Sequence, residues 1–252
     1  MEIAATSIVL TLFIALFSCF LAQRKTLGMV DRVLQRSTPT GVLPEITIEF
    51  GYWLLMPFVA VLRRLQVTPN MLSLFSLPVA IIAAISLGAG RFGFGGAILL
   101  VAFGLDACDG LLARETAVAS DAGEVVDATL DRYTDVITML GFLYYYRFDV
   151  LPWLLTGAAL VGTVIVSYIR AKGQAFGIDP AFGSFQRYER GFYLSIAAMV
   201  APAIAILAHE PTEHPRYYAA MLALGAVAVG TNITAVSRAC FVVNRLRAPV
   251  GR

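Results

Sequence analysis

The sequence predicts an all-α protein, a polytopic helix bundle that lies in a membrane. Hydrophobic residues make up 58% and charged residues 14% of the 252 residues, whereas a typical soluble domain is about one half apolar and one quarter charged. Several runs without charge approach the roughly 20 residues that cross a bilayer, and such runs must be helical because lipid cannot satisfy free backbone groups. This composition excludes an ordinary soluble enzyme, a disordered chain and a strongly basic nucleic-acid-binding protein.

Seven apolar runs are candidate membrane spans. The first covers residues 3–22, and we interpret it as an uncleaved anchor because it lacks a basic n-region and a small-residue cleavage site. The other six follow in one block, over residues 69–90, 92–112, 125–146, 151–169, 191–207 and 217–243. The chain therefore divides into an N-terminal transmembrane anchor (1–22), a linker (23–67) and a six-helix membrane domain (68–252).

The linker has its own helical signal. Tyr52, Trp53 and Phe58 precede Arg63 and Arg64, and aromatic with basic residues are typical of an amphipathic helix in the membrane interface. The sequence therefore predicts an interfacial helix on the cytoplasmic side. A connecting loop, or a further buried helix over residues 50–65, is the alternative.

The basic residues predict the orientation, because Lys and Arg collect in cytoplasmic segments. If the first span ends in the cytoplasm, 16 of the 19 basic residues face that side. The exceptions are Arg91, Arg147 and Arg216. We therefore expect an integral protein of the cytoplasmic membrane with its N-terminus outside and its C-terminus inside.

Acidic residues concentrate in one segment, since eight of the 17 lie between residues 106 and 135. Asp106 and Asp109 are three residues apart, and Asp127 and Asp131 are four apart, so each pair lies on one face of a helix. Ionisable residues inside a membrane are costly and mark functional sites. Two adjacent antiparallel helices are therefore expected to present four carboxylates near the cytoplasmic surface.

The turn between these helices carries a start signal. Asp121 and Glu124 have the spacing of a capping box, which predicts the beginning of the second helix. Further along that helix, Asp135 continues the acidic face by one turn. It is either an orienting partner of a neighbouring carboxylate or a packed polar residue.

Four clustered carboxylates repel one another, and Arg114 and Arg132 offset only part of that charge. Bound divalent metal offsets it more fully, and oxygen ligands favour Mg²⁺ or Mn²⁺. The alternative, a solvated acidic loop, does not account for Asp106 after an uncharged apolar run. Gly110 and Gly123 allow a ligand to approach the backbone, although small residues in membrane helices also serve helix packing.

The motif built by these residues resembles the signature of the CDP-alcohol phosphotransferases. Every signature position is filled, in the order Asp106-x2-Asp109-Gly110-x2-Ala113-Arg114-x8-Gly123-x3-Asp127-x3-Asp131. The resemblance covers about residues 68 to 245. It implies that an alcohol attacks a CDP-linked donor, commonly CDP-diacylglycerol, that CMP leaves, and that the protein is a homodimer.

The resemblance also implies roles for individual residues. Two divalent ions are implied, and their ligands are Asp106, Asp109, Asp127 and Asp131. Asp131 is implied to be the catalytic base that accepts the proton of the acceptor hydroxyl. The residues implied to bind the CDP donor are Asn70, Gly110, Ala113, Arg114, Ser120 and Gly123.

The acceptor is predicted from a looser similarity. Residues 167–190 resemble the branch of the family that uses inositol phosphate, the phosphatidylinositol-phosphate synthases. A cationic pocket of Lys172, Arg187, Arg190 and Arg238 would bind an acceptor phosphate, although the cytoplasmic bias of basic residues is the alternative explanation for each of them. We expect a polyol phosphate such as inositol phosphate; glycerol phosphate, serine and amino alcohols stay open.

Two more distant functions use similar residues. An intramembrane prenyltransferase also binds diphosphate through aspartates and Mg²⁺, but it is expected to carry two separated Asp-rich motifs. A cation transporter would distribute its carboxylates across the depth of the membrane. The single acidic segment of this chain favours neither.

Overall fold

The computed structural model describes residues 11, 14–24, 45–116 and 120–247, and the elements in these ranges are all helices. They are α1 (Ile14–Arg24), α2 (Glu45–Arg64), α3 (Pro69–Gly88), α4 (Phe92–Thr116), α5 (Asp121–Tyr145), α6 (Val150–Gln174), α7 (Arg187–Leu207) and α8 (Tyr218–Arg247). The predicted all-α class is confirmed. Half of the predicted first span over residues 3–22, namely residues 3–10, 12 and 13, lies outside the described residues.

Six of these helices are long and apolar enough to cross a membrane, namely α2, α3, α4, α6, α7 and α8. Between residues 45 and 247, this set differs from the predicted one at two places. Helix α2, which was predicted to be interfacial, meets the criterion by length and composition. Helix α5, predicted as a span over residues 125–146, does not meet it, because Asp131, Arg132 and Asp135 interrupt its apolar half.

Two helix starts differ from the prediction. Ser120 caps α5, since its extended backbone lets its Oγ accept a hydrogen bond from the backbone N–H of Gly123 at 3.1 Å. The predicted capping box of Asp121 and Glu124 is therefore wrong; both lie in the first turn, where carboxylates favour the helix dipole.

Helix α7 begins four residues before its predicted start. Gln186 and Glu189 form a reciprocal capping box, in which the backbone N–H of Gln186 donates to Glu189 Oε2 at 2.9 Å. Arg187 and Arg190 therefore lie in the first turn of a helix and not in a loop. Their side chains are held by helical geometry, which aims them into the bundle.

Helix α3 packs against both α4 and α5, while α4 also packs against α7, and α6 against α8. Small residues allow the close approaches: a Cβ on Gly141 of α5 would lie 2.6 Å from the backbone oxygen of Ala84 in α3. In the described part of the chain, α4 and α5 share no extensive contact with each other. The described residues of the two helices therefore do not pack extensively along their length, although this was expected of adjacent helices: α3 packs against both, and α7 packs against α4.

The main core surrounds Leu87, Phe92, Phe142 and Leu224. A second, smaller core surrounds Val59 of α2, which packs with Cys108, Leu111 and Leu112 of α4. Helix α2 thus contacts α4 along the turn that carries Asp109.

Candidate active site

Three carboxylates from two helices converge at one point. Asp106 and Asp109 lie on α4 and Asp127 lies on α5, and one oxygen from each lies within 4.8 Å of the others. Ser73 of α3 donates a hydrogen bond from its Oγ to Asp109 Oδ2 at 2.6 Å, and both side chains are buried. A cluster made only of carboxylate oxygens fits Mg²⁺ or Mn²⁺, so these residues suit the predicted metal.

Asp131, the fourth predicted ligand, has a different partner. Arg187 of α7 places its Nη2 3.0 Å from Asp131 Oδ1. The same guanidinium donates from Nη1 to Asp106 Oδ2. Arg187 thus joins α4 to α5 through one carboxylate of each helix, although it was predicted as an acceptor residue.

A second arginine of α7 extends this ionic network. Arg190 Nη2 donates to Asp135 Oδ2 at 2.9 Å, and both side chains are buried. Arg187 Nε lies 3.8 Å from the other oxygen of Asp135, and Arg132 Nη1 lies 3.5 Å from Asp135 Oδ2. Asp135 is therefore a buried counter-ion of the arginines, and the choice between its orienting role and a packed polar role stays a prediction.

Three of the predicted donor-binding residues lie together at the start of α3 and α5. A Cβ on Gly123 would lie 3.1 Å from Ser120 Oγ and 3.4 Å from Asn70 Oδ1. Gly123 therefore leaves room between two polar side chains from different helices. A glycine at this position lets polar groups approach the backbone closely.

The other predicted donor-binding residues follow Asp109 on α4. A Cβ on Gly110 would lie 3.7 Å and 3.8 Å from the two terminal nitrogens of Arg114, so the guanidinium folds back over Gly110. Ala113 is half-buried one turn after Gly110. The planar, multi-donor guanidinium suits a phosphate group.

The predicted acceptor residues divide into different environments. Lys172 is exposed, with its Nζ 5.3 Å from the ring centroid of Phe176. Arg238 is buried and donates to the backbone oxygens of Phe182 at 2.8 Å and Val166 at 3.3 Å. Of the four predicted residues, Arg187 and Arg190 are the two that contact the aspartates directly.

The segment before α7 also holds these arginines. Arg190 donates to the backbone oxygen of Phe185 at 3.0 Å, and Thr234 donates to that of Ser184 at 3.1 Å. A Cβ on Gly230 of α8 would lie 2.1 Å from the Phe185 ring. The absence of a side chain at Gly230 thus makes a socket for Phe185.

The sequence did not lead us to predict Ser73 as a site residue, or that Arg187 contacts both Asp106 and Asp131. Ser73 lies one turn after Asn70, so its place on the same face of α3 was a usable signal. For Arg187 there was no local signal, since 81 residues separate it from Asp106.

The comparison with protein families agrees with this geometry. The family model described as CDP-alcohol phosphatidyltransferase matches residues 66–231. The chain therefore belongs to the CDP-alcohol phosphatidyltransferase family, which makes it a metal-dependent transferase of phospholipid biosynthesis and an integral membrane protein. Family membership sets aside the prenyltransferase and the cation transporter.

Individual relatives point to one branch of the family. The archaetidylinositol phosphate synthase of Pyrococcus horikoshii is 32% identical over 139 residues, which cover 55% of this chain and 72% of that protein. The phosphatidylinositol phosphate synthase of Mycobacterium tuberculosis is 31% identical over 138 residues, which cover 53% of this chain and 64% of that protein.

Solved structures of the Mycobacterium tuberculosis synthase are similar in fold. The structure with CDP-DAG bound has a TM-score of 0.64 and 26% identity, and the match covers 78% of this chain and 96% of that one. A structure of the same enzyme in complex with manganese and citrate has the same TM-score, and the match covers 91% of its chain. These similarities support the predicted phosphatidylinositol-phosphate-synthase branch.

Proposed function

We propose that this protein transfers the phosphatidyl group of CDP-diacylglycerol to a polyol phosphate such as inositol phosphate. The hydroxyl oxygen of the acceptor forms a new bond to the phosphorus of the phosphatidyl group, and the bond from that phosphorus to CMP breaks. The observation that carries the proposal is the convergence of Asp106, Asp109 and Asp127 beside the half-buried Arg187 and the buried Arg190 of α7.

The aspartates are the proposed metal ligands, with Asp131 as the fourth and two ions as the proposed number. Bound divalent metal neutralises the diphosphate and stabilises the charge that builds on the leaving group. Ser73 holds the buried carboxylate of Asp109 in one orientation through its hydrogen bond, which prepares this ligand for the metal.

The CDP part of the donor is proposed to lie over the small residues of the motif. Gly110, Ala113 and Gly123 leave space beside the backbone, while Arg114 supplies a cation for the diphosphate. Asn70 and Ser120 flank Gly123 and offer polar groups to the nucleotide.

Asp131 is the proposed base, which accepts the proton of the attacking hydroxyl. Its carboxylate lies 3.0 Å from Arg187, and a cation at that distance is suited to hold the phosphate of the same acceptor. Base and phosphate-binding group would then hold the two ends of one small molecule, which orients its hydroxyl. Lys172, Arg190 and Arg238 complete the proposed cationic set.

The proposed site faces the cytoplasm, with the N-terminus outside, because most basic residues lie at the same end of the helices as the aspartates. The homodimer implied by the family resemblance stays a prediction. So does the division of the chain at residues 22 and 67.

The test is an acceptor panel with the purified full-length protein, CDP-diacylglycerol and Mn²⁺, read as CMP release. We expect release with inositol phosphate, and little with inositol, serine or amino alcohols. Asp131→Asn should lower the rate by roughly 10²- to 10⁴-fold, the usual contribution of a general base.

Two results would contradict the proposal. Activity with unphosphorylated alcohols alone would remove the case for a phosphate pocket. Full CMP release by Asp131→Asn with acceptor present would remove Asp131 as the base.

A further inference from the structure

The guanidinium of Arg187 is bound to carboxylates that a divalent metal would also use. It contacts Asp106, which belongs to the tight group of three aspartates, and Asp131, the proposed base. Only 18% of the Arg187 side chain is exposed, so water does little to screen these contacts. Two of its nitrogens, Nε and Nη2, are buried without a hydrogen bond of good geometry.

The Arg187 guanidinium is therefore strongly attracted to the carboxylates of Asp106 and Asp131, but two of its three nitrogens form no hydrogen bond. A buried guanidinium that forms all its hydrogen bonds is held in one position by them. A guanidinium with unsatisfied donors gives up fewer hydrogen bonds, and so less free energy, when it moves away. Arg190, in the same helix turn, is better bonded: both of its terminal nitrogens donate, to Asp135 at 2.9 Å and to a backbone oxygen at 3.0 Å, and its Nε alone is left without a hydrogen bond. Asp135 also lies 3.8 Å from Arg187 Nε and can keep part of its attraction after Asp106 is withdrawn.

We propose that Arg187 competes with the divalent metal for Asp106 and Asp131 and couples metal binding to binding of the acceptor phosphate. When Asp106 turns to a metal, the guanidinium loses its partner on α4 and keeps those on α5. Its free donors are then available to a phosphate group beside Asp131. This inference rests on the proposed function, because it uses the same metal ligands and a phosphorylated acceptor.

The consequence is a thermodynamic linkage between two ligands. If the phosphate stabilises the position of Arg187 away from Asp106, phosphate tightens metal binding, and metal tightens phosphate binding by the same factor. Arg187 is then a positioning residue for the metal as well as a contact for the acceptor. An arginine that served as a simple counter-ion would give no such reciprocity.

The test measures Mn²⁺ affinity directly, by the loss of the free Mn²⁺ signal in electron paramagnetic resonance, with the purified full-length protein. We expect Arg187→Gln to bind Mn²⁺ roughly tenfold more tightly than the wild type, within the usual range of coupling between sites. Inorganic phosphate at fixed free Mn²⁺ should tighten Mn²⁺ binding by the wild type and leave the variant unchanged. Tighter binding is a gain, and misfolding does not produce it.

Arg132→Gln is the matched control, because Arg132 also lies beside the acidic cluster, 3.5 Å from Asp135. It removes the same charge without removing the bridge between Asp106 and Asp131, so a much smaller gain is expected. If Mn²⁺ affinity rose equally in both variants, the loss of any nearby positive charge would explain the rise, and the proposal would be overturned. Arg187→Lys keeps the charge but not the planar fork, and its Mn²⁺ affinity should fall between those of the wild type and Arg187→Gln.

The outcomes separate this inference from the function on which it rests. If the wild type binds no Mn²⁺, the metal site of the proposed function fails, and this inference fails with it. If the wild type binds Mn²⁺ but Arg187→Gln binds it equally or more weakly, only the competition is refuted. Phosphate coupling that persists in Arg187→Gln refutes the role of Arg187 in the linkage.

Discussion

Arg190 of α7 donates to Asp135 of α5 at 2.9 Å, and both side chains are almost completely buried. The pair lies next to Arg187 and therefore fixes the first turn of α7 against the helix that carries Asp131. Removing one partner of a buried ion pair costs far more than removing one partner of an exposed pair, because an uncompensated charge stays behind.

We therefore expect Arg190→Gln to lower the free energy of unfolding by about 3–5 kcal/mol. Thermal unfolding in detergent measures the change. Arg170→Gln is the control, since Arg170 pairs with Asp179 at 3.1 Å where each side chain is 46% exposed, and its loss should cost about 1 kcal/mol or less. Equal destabilisation by the two variants would contradict the structural role of the buried pair.

Ser73→Ala should weaken metal binding while the fold is kept. Ser73 orients Asp109 through a 2.6 Å hydrogen bond, and losing such an outer partner typically costs about 10- to 100-fold in metal affinity or activity. Mn²⁺ titration monitored by paramagnetic resonance measures this.

Ser76→Ala is the matched control for Ser73→Ala. Ser76 is buried one turn further along α3 and donates to the backbone oxygen of Ser73 at 2.8 Å. We expect its removal to leave the Mn²⁺ affinity near that of the wild type. If both serine variants bind Mn²⁺ like the wild type, the orienting role of Ser73 is refuted.

Gly123→Ala should raise KM for CDP-diacylglycerol more than it lowers kcat. The added methyl group would lie 3.1 Å from Ser120 Oγ and 3.4 Å from Asn70 Oδ1, in the space proposed for the donor. Alanine favours a helix over glycine by about 1 kcal/mol, but the methyl group also crowds the capping Ser120 Oγ, so thermal unfolding is measured beside KM to separate a weakened cap from a blocked donor site.

Gly157→Ala tests that interpretation, because a Cβ on Gly157 meets no atom within 4 Å. Initial rates of CMP release over a range of donor concentrations should give an unchanged KM for this variant. A Gly123→Ala enzyme with the KM of the wild type would exclude the donor from this space.

The local parts of the site were predictable from the sequence, and the parts built between distant segments were not. The spacing of Asp106 and Asp109 predicts one helix face because helical geometry acts over three and four residues. The partner of Asp106, Arg187, lies 81 residues away and depends on the direction of α7. That direction depends in turn on the capping box of Gln186 and Glu189, which was not recognised.

The arrangement of helices shows the same limit. Asp121 and Glu124 matched a capping pattern, but Ser120, one residue earlier, has the extended backbone that a cap needs. Consecutive helices α4 and α5 were expected to pack together. In the structure α3 packs against both, through small residues such as Ala84 and Gly141, and small side chains give no strong hydropathy signal for a particular partner.

Gly230→Ala should displace Phe185 and, through it, the first turn of α7. A Cβ at this position would lie 2.1 Å from the Phe185 ring, and Arg190 donates to the backbone oxygen of Phe185. We expect a loss of about 1–3 kcal/mol, typical of overpacking, and a raised KM for the acceptor. Adding Phe185→Ala to Gly230→Ala should recover part of both; a double variant with fully additive losses would disprove the socket.

The last prediction concerns the orientation of α2, which is apolar enough to cross the membrane. Each end carries an ion pair: Glu49, which is buried, lies 2.7 Å from Arg24, and Arg63 lies 3.3 Å from Glu115. The 14 residues from Glu49 to Arg63 span about 21 Å of helix. An upright α2 would therefore carry the Glu49 pair deep into the bilayer or across it, where buried charge is costly.

We therefore expect α2 to lie along the cytoplasmic interface, with its exposed apolar side chains, including Leu54, Phe58 and Leu65, turned to lipid. Single cysteines at Gly51 and Arg64, in a background without the native cysteines, should both react with a membrane-impermeant maleimide from the cytoplasmic side. Arg147→Cys, beyond the opposite end of α5, should react only from outside. If Gly51→Cys reacts from outside and Arg64→Cys from inside, α2 crosses the membrane, and the linker prediction is wrong.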